Sequence, residues 1–400
     1  MRKKRGVQLG ILTAAAVLVT GCSAVSEPAP DTIVIGMDED STGPGASYSV
    51  IVGDTVRAAV ADINANGGVN GRRIVLEVGN DESDPTKTPS VIRRMIDKGA
   101  SAVILATGSG SVMQAKSVLQ RSGIPGISPN VLVDSFAKAP DEQYSFMVAN
   151  SLSQYAEVYC GAFTAEKYRT IAVLADSSAA IDGVMATLAP PLRDCVDITT
   201  TEKVDVDAAD LTAQVSRLLE TKPDAVLVAS VGGHVEVLAH DTLHKLAPNL
   251  PRFSLASIGN QPKSWALADR GALDGMVFMG SLTNENPRTG ELAELVKSVK
   301  GPEYEPTAYD AQALDTVRLL QTALGSVDDP HDRAAVRDAL ENVRDLPASF
   351  GQSALTLSYG PTDHLAADSL CGLVLMEFGP ENTPQGPWSS YQPPCAGEVQ

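Results

Sequence analysis

Beyond residue 30 the chain alternates short runs of aliphatic and β-branched residues with longer stretches whose apolar positions recur every three or four residues. Asp31 to Met37 reads as a strand, and a Gly/Ser-rich loop follows through Ser41-Thr42-Gly43-Pro44-Gly45. A helix is predicted from near Ser47, with Val52, Val56, Ala59, Val60 and Ile63 on one face. Asn66-Gly67-Gly68 should end it, since these residues accept the left-handed backbone of a helix terminus. Asn70-Gly71 turns the chain into a strand over Ile74 to Val78, and Asp84-Pro85-Thr86 opens a helix through Ile96. The alternation continues with strand Ala102 to Ala106, a helix to Gln120, strand Gly126 to Ser128, helix Ser153 to Tyr168 and strand Ile171 to Ala175. A helix from Gly183, strand Val196 to Thr201, helix Leu211 to Glu220 and strand Ala225 to Ala229 follow. Strands alternating with helices predict an α/β fold whose parallel sheets are covered on both faces.

The first thirty residues do not share this pattern. Met1-Arg2-Lys3-Lys4-Arg5 is a basic start, and a nearly unbroken apolar run from Gly6 to Thr20 follows, as in a secretory signal. The run is short for a membrane span of about 20 residues. It ends in Val19-Thr20-Gly21-Cys22, which resembles the bacterial lipobox. That resemblance implies cleavage after residue 21, acylation of Cys22 and attachment to the outer face of the cell membrane. Residues 22–30 are small and polar with prolines, the composition of a flexible tether.

Composition narrows the partners. Lys and Arg number 31 against 49 Asp and Glu, a net charge of −18, and setting aside the four basic residues of the signal makes it −22. So acidic a surface argues against nucleic acid as a partner. Five cysteines less Cys22 leave Cys160, Cys195, Cys371 and Cys395, an even number in an exported chain, which points to two disulfides. No C-x-x-C pair and no histidine at ligand spacing accompanies them, which argues against zinc.

The stretch Asp62-Ile63-Asn64-Ala65-Asn66-Gly67-Gly68-Val69-Asn70-Gly71-Arg72-Arg73-Ile74, followed by Asp81 and Asp84-Pro85, resembles the leucine/isoleucine/valine-binding protein family of periplasmic type I binding proteins. Thr42-Gly43-Pro44, Gly123-Ile124-Pro125, Ser128-Pro129 and Leu314-Asp315-Thr316-Val317-Arg318-Leu319-Leu320 fall in the family's order. The resemblance implies two Rossmann-like lobes with parallel sheets joined by three hinge crossings. Those crossings are expected near residues 149–152, 280–283 and 357–360. One lobe would then comprise 31–148 with 284–356, and the other 149–283 with 357–400. Of the three possible cysteine connectivities, Cys160 with Cys195 and Cys371 with Cys395 joins chain neighbours inside the second of these lobes.

By the same resemblance Ser109, in the loop Thr107-Gly108-Ser109-Gly110-Ser111, matches a residue that receives a ligand carboxylate at a helix N-terminus. Tyr48 matches a packing aromatic, and Asn130, after Ser128-Pro129, a further contact. A plain helix cap and a turn-forming asparagine are the bland readings of Ser109 and Asn130. The second lobe departs from the family pattern: positions of ligand-enclosing tyrosines fall on Ala180 and Val231, and that of a carboxylate on Ile258. Asp176, Ser178, Gly232 or His234 would serve if the match slips by one or two residues.

Other chemistry finds little support. His240-Asp241-Thr242-Leu243-His244 places two imidazoles one turn apart but lacks a third metal ligand. Ser177 and Ser178 have no nucleophile-elbow context, and neither Gly108-Ser109-Gly110 nor Gly232-Gly233 carries the lysine of a phosphate loop. The expectation is therefore a monomeric, non-enzymatic, cofactor-free binding lipoprotein. It would deliver a small polar or amphipathic solute, of the amino-acid or amide class, to an ABC permease; a ligand sensor signalling through a membrane partner is the alternative.

Overall fold

The computed structural model describes residues 32–137, 143–352 and 355–395, so the proposed signal, Cys22 and the tether lie outside the described residues. The first lobe contains β1 (Ile33–Glu39), α1 (Ala46–Ala65), β2 (Ile74–Gly79), α2 (Thr88–Asp97), β3 (Ala102–Ala106), α3 (Ser109–Ser122), β4 (Gly126–Ser128) and β5 (Ser145–Met147). Its sheet is parallel throughout in the order β2-β1-β3-β4-β5. The chain then enters the second lobe through α4 (Leu152–Glu166), β6 (Thr170–Asp176), α5 (Ala179–Leu192), β7 (Asp197–Val204), α6 (Thr212–Glu220), β8 (Ala225–Ala229), α7 (Gly233–Leu246), β9 (Arg252–Ser254), α8 (Pro262–Trp265) and β10 (Val277–Met279). It returns as α9 (Arg288–Lys300), α10 (Ala308–Ser326) and α11 (Arg333–Glu341), packed on the first lobe, and a short pair β11 (Leu346–Pro347) and β12 (Thr356–Leu357).

The last strands, β13 (Leu375–Gly379) and β14 (Thr383–Pro387), complete a second sheet ordered β14-β13-β10-β9-β8-β6-β7. They join it antiparallel, an addition the βα alternation did not foretell. The central strands β3 and β8 are buried at every position. This is why they read as continuous aliphatic runs instead of alternating ones.

Two boundaries shift from the expected ones. α5 starts at Ala179, four residues before Gly183, because the Ser178 hydroxyl caps it by accepting from the Ile181 N–H at 3.2 Å. β7 continues past Thr201 to Val204, following β6 to its end at Asp176. At the close of α1, Gly68 (φ +74°) lets its N–H reach the Ile63 carbonyl, and a Cβ there would lie 2.0 Å from the Arg72 oxygen.

The third passage between lobes comes later than residues 357–360. After β12 the chain stays on the first sheet, where Met147 N–H donates to the His364 carbonyl (2.8 Å) and Ala366 N–H to the Met147 carbonyl (2.9 Å). It crosses only after Ala367. There the Asn150 side-chain NH₂, on the first crossing, donates to the carbonyls of Ala367 (3.0 Å) and Ser369 (2.8 Å). The second lobe carries both disulfides, Cys160–Cys195 and Cys371–Cys395. Among the described residues no helix is long and apolar enough to cross a membrane.

Candidate functional site: the cleft between the lobes

Loops at the carboxyl ends of both sheets face each other, where ligands of open parallel sheets sit. They border about 640 Å³ of empty space, part of it open to solvent. The first lobe supplies Tyr48 from α1, Gly108 and Ser109 from the start of α3, and Asn130 and Leu132 from the loop after β4. The second supplies Tyr155, Ala180, Ile181, Val184, Val231 and Leu255, and Tyr309 and Gln312 enter from α10. A smaller cavity, about 350 Å³ of empty space that is also partly open to solvent, shares Tyr48, Gly108, Ala180 and Val231 and reaches Asp40 and Ser178.

Of the residues singled out from sequence, Tyr48, Gly108, Ser109, Asn130 and Val231 line the larger cavity and Ser178 the smaller. Ser128, Asp176 and Gly232 line neither. The Ser128 hydroxyl donates to the Leu105 carbonyl (3.1 Å) and accepts from the Val131 N–H (3.0 Å), which holds the loop that presents Asn130. Asp176 is committed to its own turn: Oδ1 accepts from Ser178 N–H (2.9 Å) and hydroxyl (2.6 Å), and Oδ2 from Val231 N–H (2.8 Å). Gly232 adopts φ +91° and donates to the Ser230 hydroxyl. Ala180 borders the cavity, whereas Ile258 is buried outside it.

Among the described residues no Asp, Glu, Lys, Arg or His lines the larger cavity. Its ionisable groups are the phenols of Tyr48, Tyr155 and Tyr309, all pushed above the ordinary phenol value by burial and hence neutral. The Tyr48 and Tyr309 rings lie 5.8 Å apart at 43°. α3 follows Gly108 without a side-chain cap, so that wall presents the partial positive charge of a helix N-terminus. Tyr155, Tyr309 and Gln312 were not read from sequence. Tyr309 and Gln312 are three apart just before the Leu314 motif, a spacing that shares one helix face and could have flagged them.

Beneath the cleft, the first-lobe loops are bound together by buried carboxylates. Asp40 accepts from the Thr107 hydroxyl (2.8 Å) and the Ser83 hydroxyl (2.9 Å), and Asp81 accepts from the Thr88 hydroxyl (2.6 Å). These bonds join the segments after β1, β2 and β3. Burial, reinforced by the neighbouring Asp81, pushes Asp38 and Asp40 up to about 8. Glu39 is spoken for by Arg57. In the second lobe burial raises Glu236, whose Oε1 accepts from the Ser254 hydroxyl, to about 8 and lowers His240 to about 3.

These shifts set the sign of a pH effect. Between about pH 4 and 8 the folded chain retains protons on Asp38, Asp40 and Glu236 that unfolded carboxylates have released, so stability falls as pH rises through that window. His240 acts oppositely only below about 6.5, where the unfolded imidazole takes up a proton that the folded one does not. The melting temperature is therefore expected to be higher at pH 6.5 than at pH 8. Asp38→Asn and Glu236→Gln should each flatten that difference. A melting temperature that increases from pH 6.5 to 8 would contradict the assignment.

Comparison with known proteins agrees with this architecture. The periplasmic binding protein family matches residues 32–368. The Leu/Ile/Val-binding protein BraC3 of Rhizobium johnstonii is 26% identical over 354 residues, 84% of this chain and 90% of that protein. Leu/Ile/Val-binding protein homolog 1 of Brucella suis is 28% identical over 323 residues, 77% of this chain and 81% of its own. Among solved structures, a type 1 periplasmic binding protein of Bordetella pertussis superposes with a TM-score of 0.76 at 21% identity, covering 90% of this chain and all of that one. The substrate-binding protein LivJ of Streptococcus pneumoniae, in complex with isoleucine, superposes with a TM-score of 0.74 at 19% identity, covering 87% of this chain and 97% of that one. The family and the relatives that match over most of the chain are binding proteins, which gives it a solute-binding role and not an enzymatic one. The chain belongs to the periplasmic binding protein family, as its resemblance to leucine/isoleucine/valine-binding proteins implied.

Proposed function

We propose that this chain is an exported, lipid-anchored, monomeric receptor that closes on an amphipathic solute without full charge and passes it to an ABC permease. The observation that supports the reading is a cleft cavity walled by tyrosines, aliphatic side chains and neutral polar groups, with no ionised side chain among the described residues that line it. Ser109 and the start of α3 would receive a carbonyl or other acceptor of the ligand. Tyr48, Tyr155 and Tyr309 would pack its body, with Ala180, Ile181 and Val184 closing over it. Asp176, Ser178 and Gly232 would act indirectly, by holding the loop that carries Val231. On this reading one lobe comprises residues 31–148 with 284–366, and the other 149–283 with the segment after Ala367.

A thermal-shift screen of the delipidated protein against amides, organic acids, small aromatics and amino acids tests the solute class, because specific binding raises the melting temperature. The anchor is tested separately. A thioether-linked diacylglyceryl group holds a protein to a bilayer through two chains, so Cys22→Ser should move the protein from the membrane to the soluble fraction. Retention of the variant on membranes at ordinary salt would refute Cys22 as the attachment point.

A further inference from the structure

We infer that Gln312 is the residue that sets ligand specificity in the cleft, and that the ligand meets it with a carboxamide or a like group bearing N–H beside C=O. The inference rests on the cleft being the binding site and goes beyond it by naming the group recognised.

Gln312 lies in the second turn of α10, lines the cavity and is only 5% exposed. Its neighbours on the helix are fully engaged. Asp310 accepts from Thr55, Lys300, Tyr304 and Thr307, and Asp315 accepts from both the N–H and the hydroxyl of Ser349. The Gln312 backbone carbonyl accepts from Thr316, yet its side-chain amide has no hydrogen-bond partner among the described residues. A second carboxamide lines the same cavity, and its Asn130 Oδ1 is buried without a partner. An acceptor buried without a partner is destabilising, so Asn130 Oδ1 calls for one, and the Gln312 amide, unbonded within the chain and lining the same cavity, can bind a group delivered there.

The nature of that partner follows from the walls. A side-chain amide offers two donors and an acceptor. A carboxylate would use only the donors and an ammonium only the acceptor, and either would be desolvated with no opposite charge lining the cavity. A carboxamide uses both functions and carries no net charge. The apolar faces of Ile181, Val184 and Leu255 then suit a compact hydrocarbon body behind it.

The test is calorimetry on the full chain with two matched sets: 3-methylbutanamide, 3-methylbutanoate and 3-methylbutylamine, and benzamide, benzoate and benzylamine. The wild type should prefer the amide at least tenfold over both partners in one set. Gln312→Leu should abolish that preference while preserving the fold by circular dichroism. Gln312→Glu, close to isosteric, should shift the preference towards the amine. Preference for the carboxylate or amine in the wild type, no binding by any of the six, or an amide preference unchanged in both variants would each overturn the assignment. Ala180→Trp, which fills the cavity, separates the two layers of argument. Amide binding that survives it would discard the cleft as the site, whereas binding lost with it but indifferent to Gln312 would discard Gln312 alone.

Discussion

Calorimetry with leucine, isoleucine and valine is expected to show binding weaker than micromolar for all three, although curated relatives of the chain are Leu/Ile/Val-binding proteins. A free amino acid brings an ammonium into the cleft, and no carboxylate lines the larger cavity to receive it. Enclosing an unpaired ion costs several kcal/mol even after relaxation. About 3 kcal/mol of that is already roughly a hundredfold in affinity. Two carboxylates could supply the charge from nearby. Asp176 has both oxygens occupied by Ser178 and Val231, so turning towards a ligand would dismantle its own loop. Asp40 borders the smaller cavity, but burial holds its carboxyl towards the neutral form, with a value raised to about 8. Micromolar binding of any of the three amino acids would sink this expectation, and its loss in Asp176→Asn would then locate the charge.

Replacing Gly110 with valine is expected to hold the lobes apart and abolish the ligand-driven contraction proposed for the receptor. The start of α3 meets the start of α5 across the cleft, with Gly110 against Ala179 and Gly108 against Ala180. A Cβ on Gly110 would sit 3.2 Å from the Ala179 carbonyl oxygen, and one on Gly108 would sit 3.0 Å from the Ala180 Cβ. Alanine at 110 asks for a shift of a few tenths of an ångström, but the branched atoms of valine need room that the opposing backbone occupies. Opening the cleft provides it. Because each lobe contributes only part of the cavity, loss of closure should weaken binding of whichever solute the thermal-shift screen identifies by a hundredfold or more. Small-angle scattering on Gly110→Val should give the same radius of gyration with and without that solute, while Gly110→Ala still contracts. A valine variant that contracts like the wild type would show that this contact does not govern closure.

What could be read beforehand, and what could not, follows from how each feature is encoded. The strand and helix alternation was visible because β3, β6 and β8 are buried on both faces and their aliphatic runs are unmistakable. The start of α5 was displaced because Ser177-Ser178-Ala179-Ala180 carries no periodicity; the helix is launched by one hydroxyl, Ser178, whose role depends on the fold. β13 and β14 escaped because short terminal strands pair antiparallel to an edge chosen by the rest of the sheet. The first-lobe lining residues, Tyr48, Ser109 and Asn130, sit on loops and helix ends whose neighbours are recognisable in the chain. Tyr309 and Gln312 sit on α10, a helix buried around nearly its whole circumference over its first ten residues. Polar residues there look like interruptions of a core helix until the second lobe is placed against them. Asp176 presents the reverse case, since an isolated acid after a strand looks free until its three N–H and O–H donors are seen.

The Asn150 side chain, bound to the third crossing at Ala367 and Ser369, has a consequence for the thermodynamics of capture. Two of the three connecting strands are tied at one point, and a Cβ on Gly372 would already collide with Asn150 Oδ1. Bending at one strand is therefore expected to drag the other, which restricts independent flexing and twisting of the two lobes. A solute arriving in the cleft has correspondingly little configurational freedom to remove, so more of its contact energy survives as affinity.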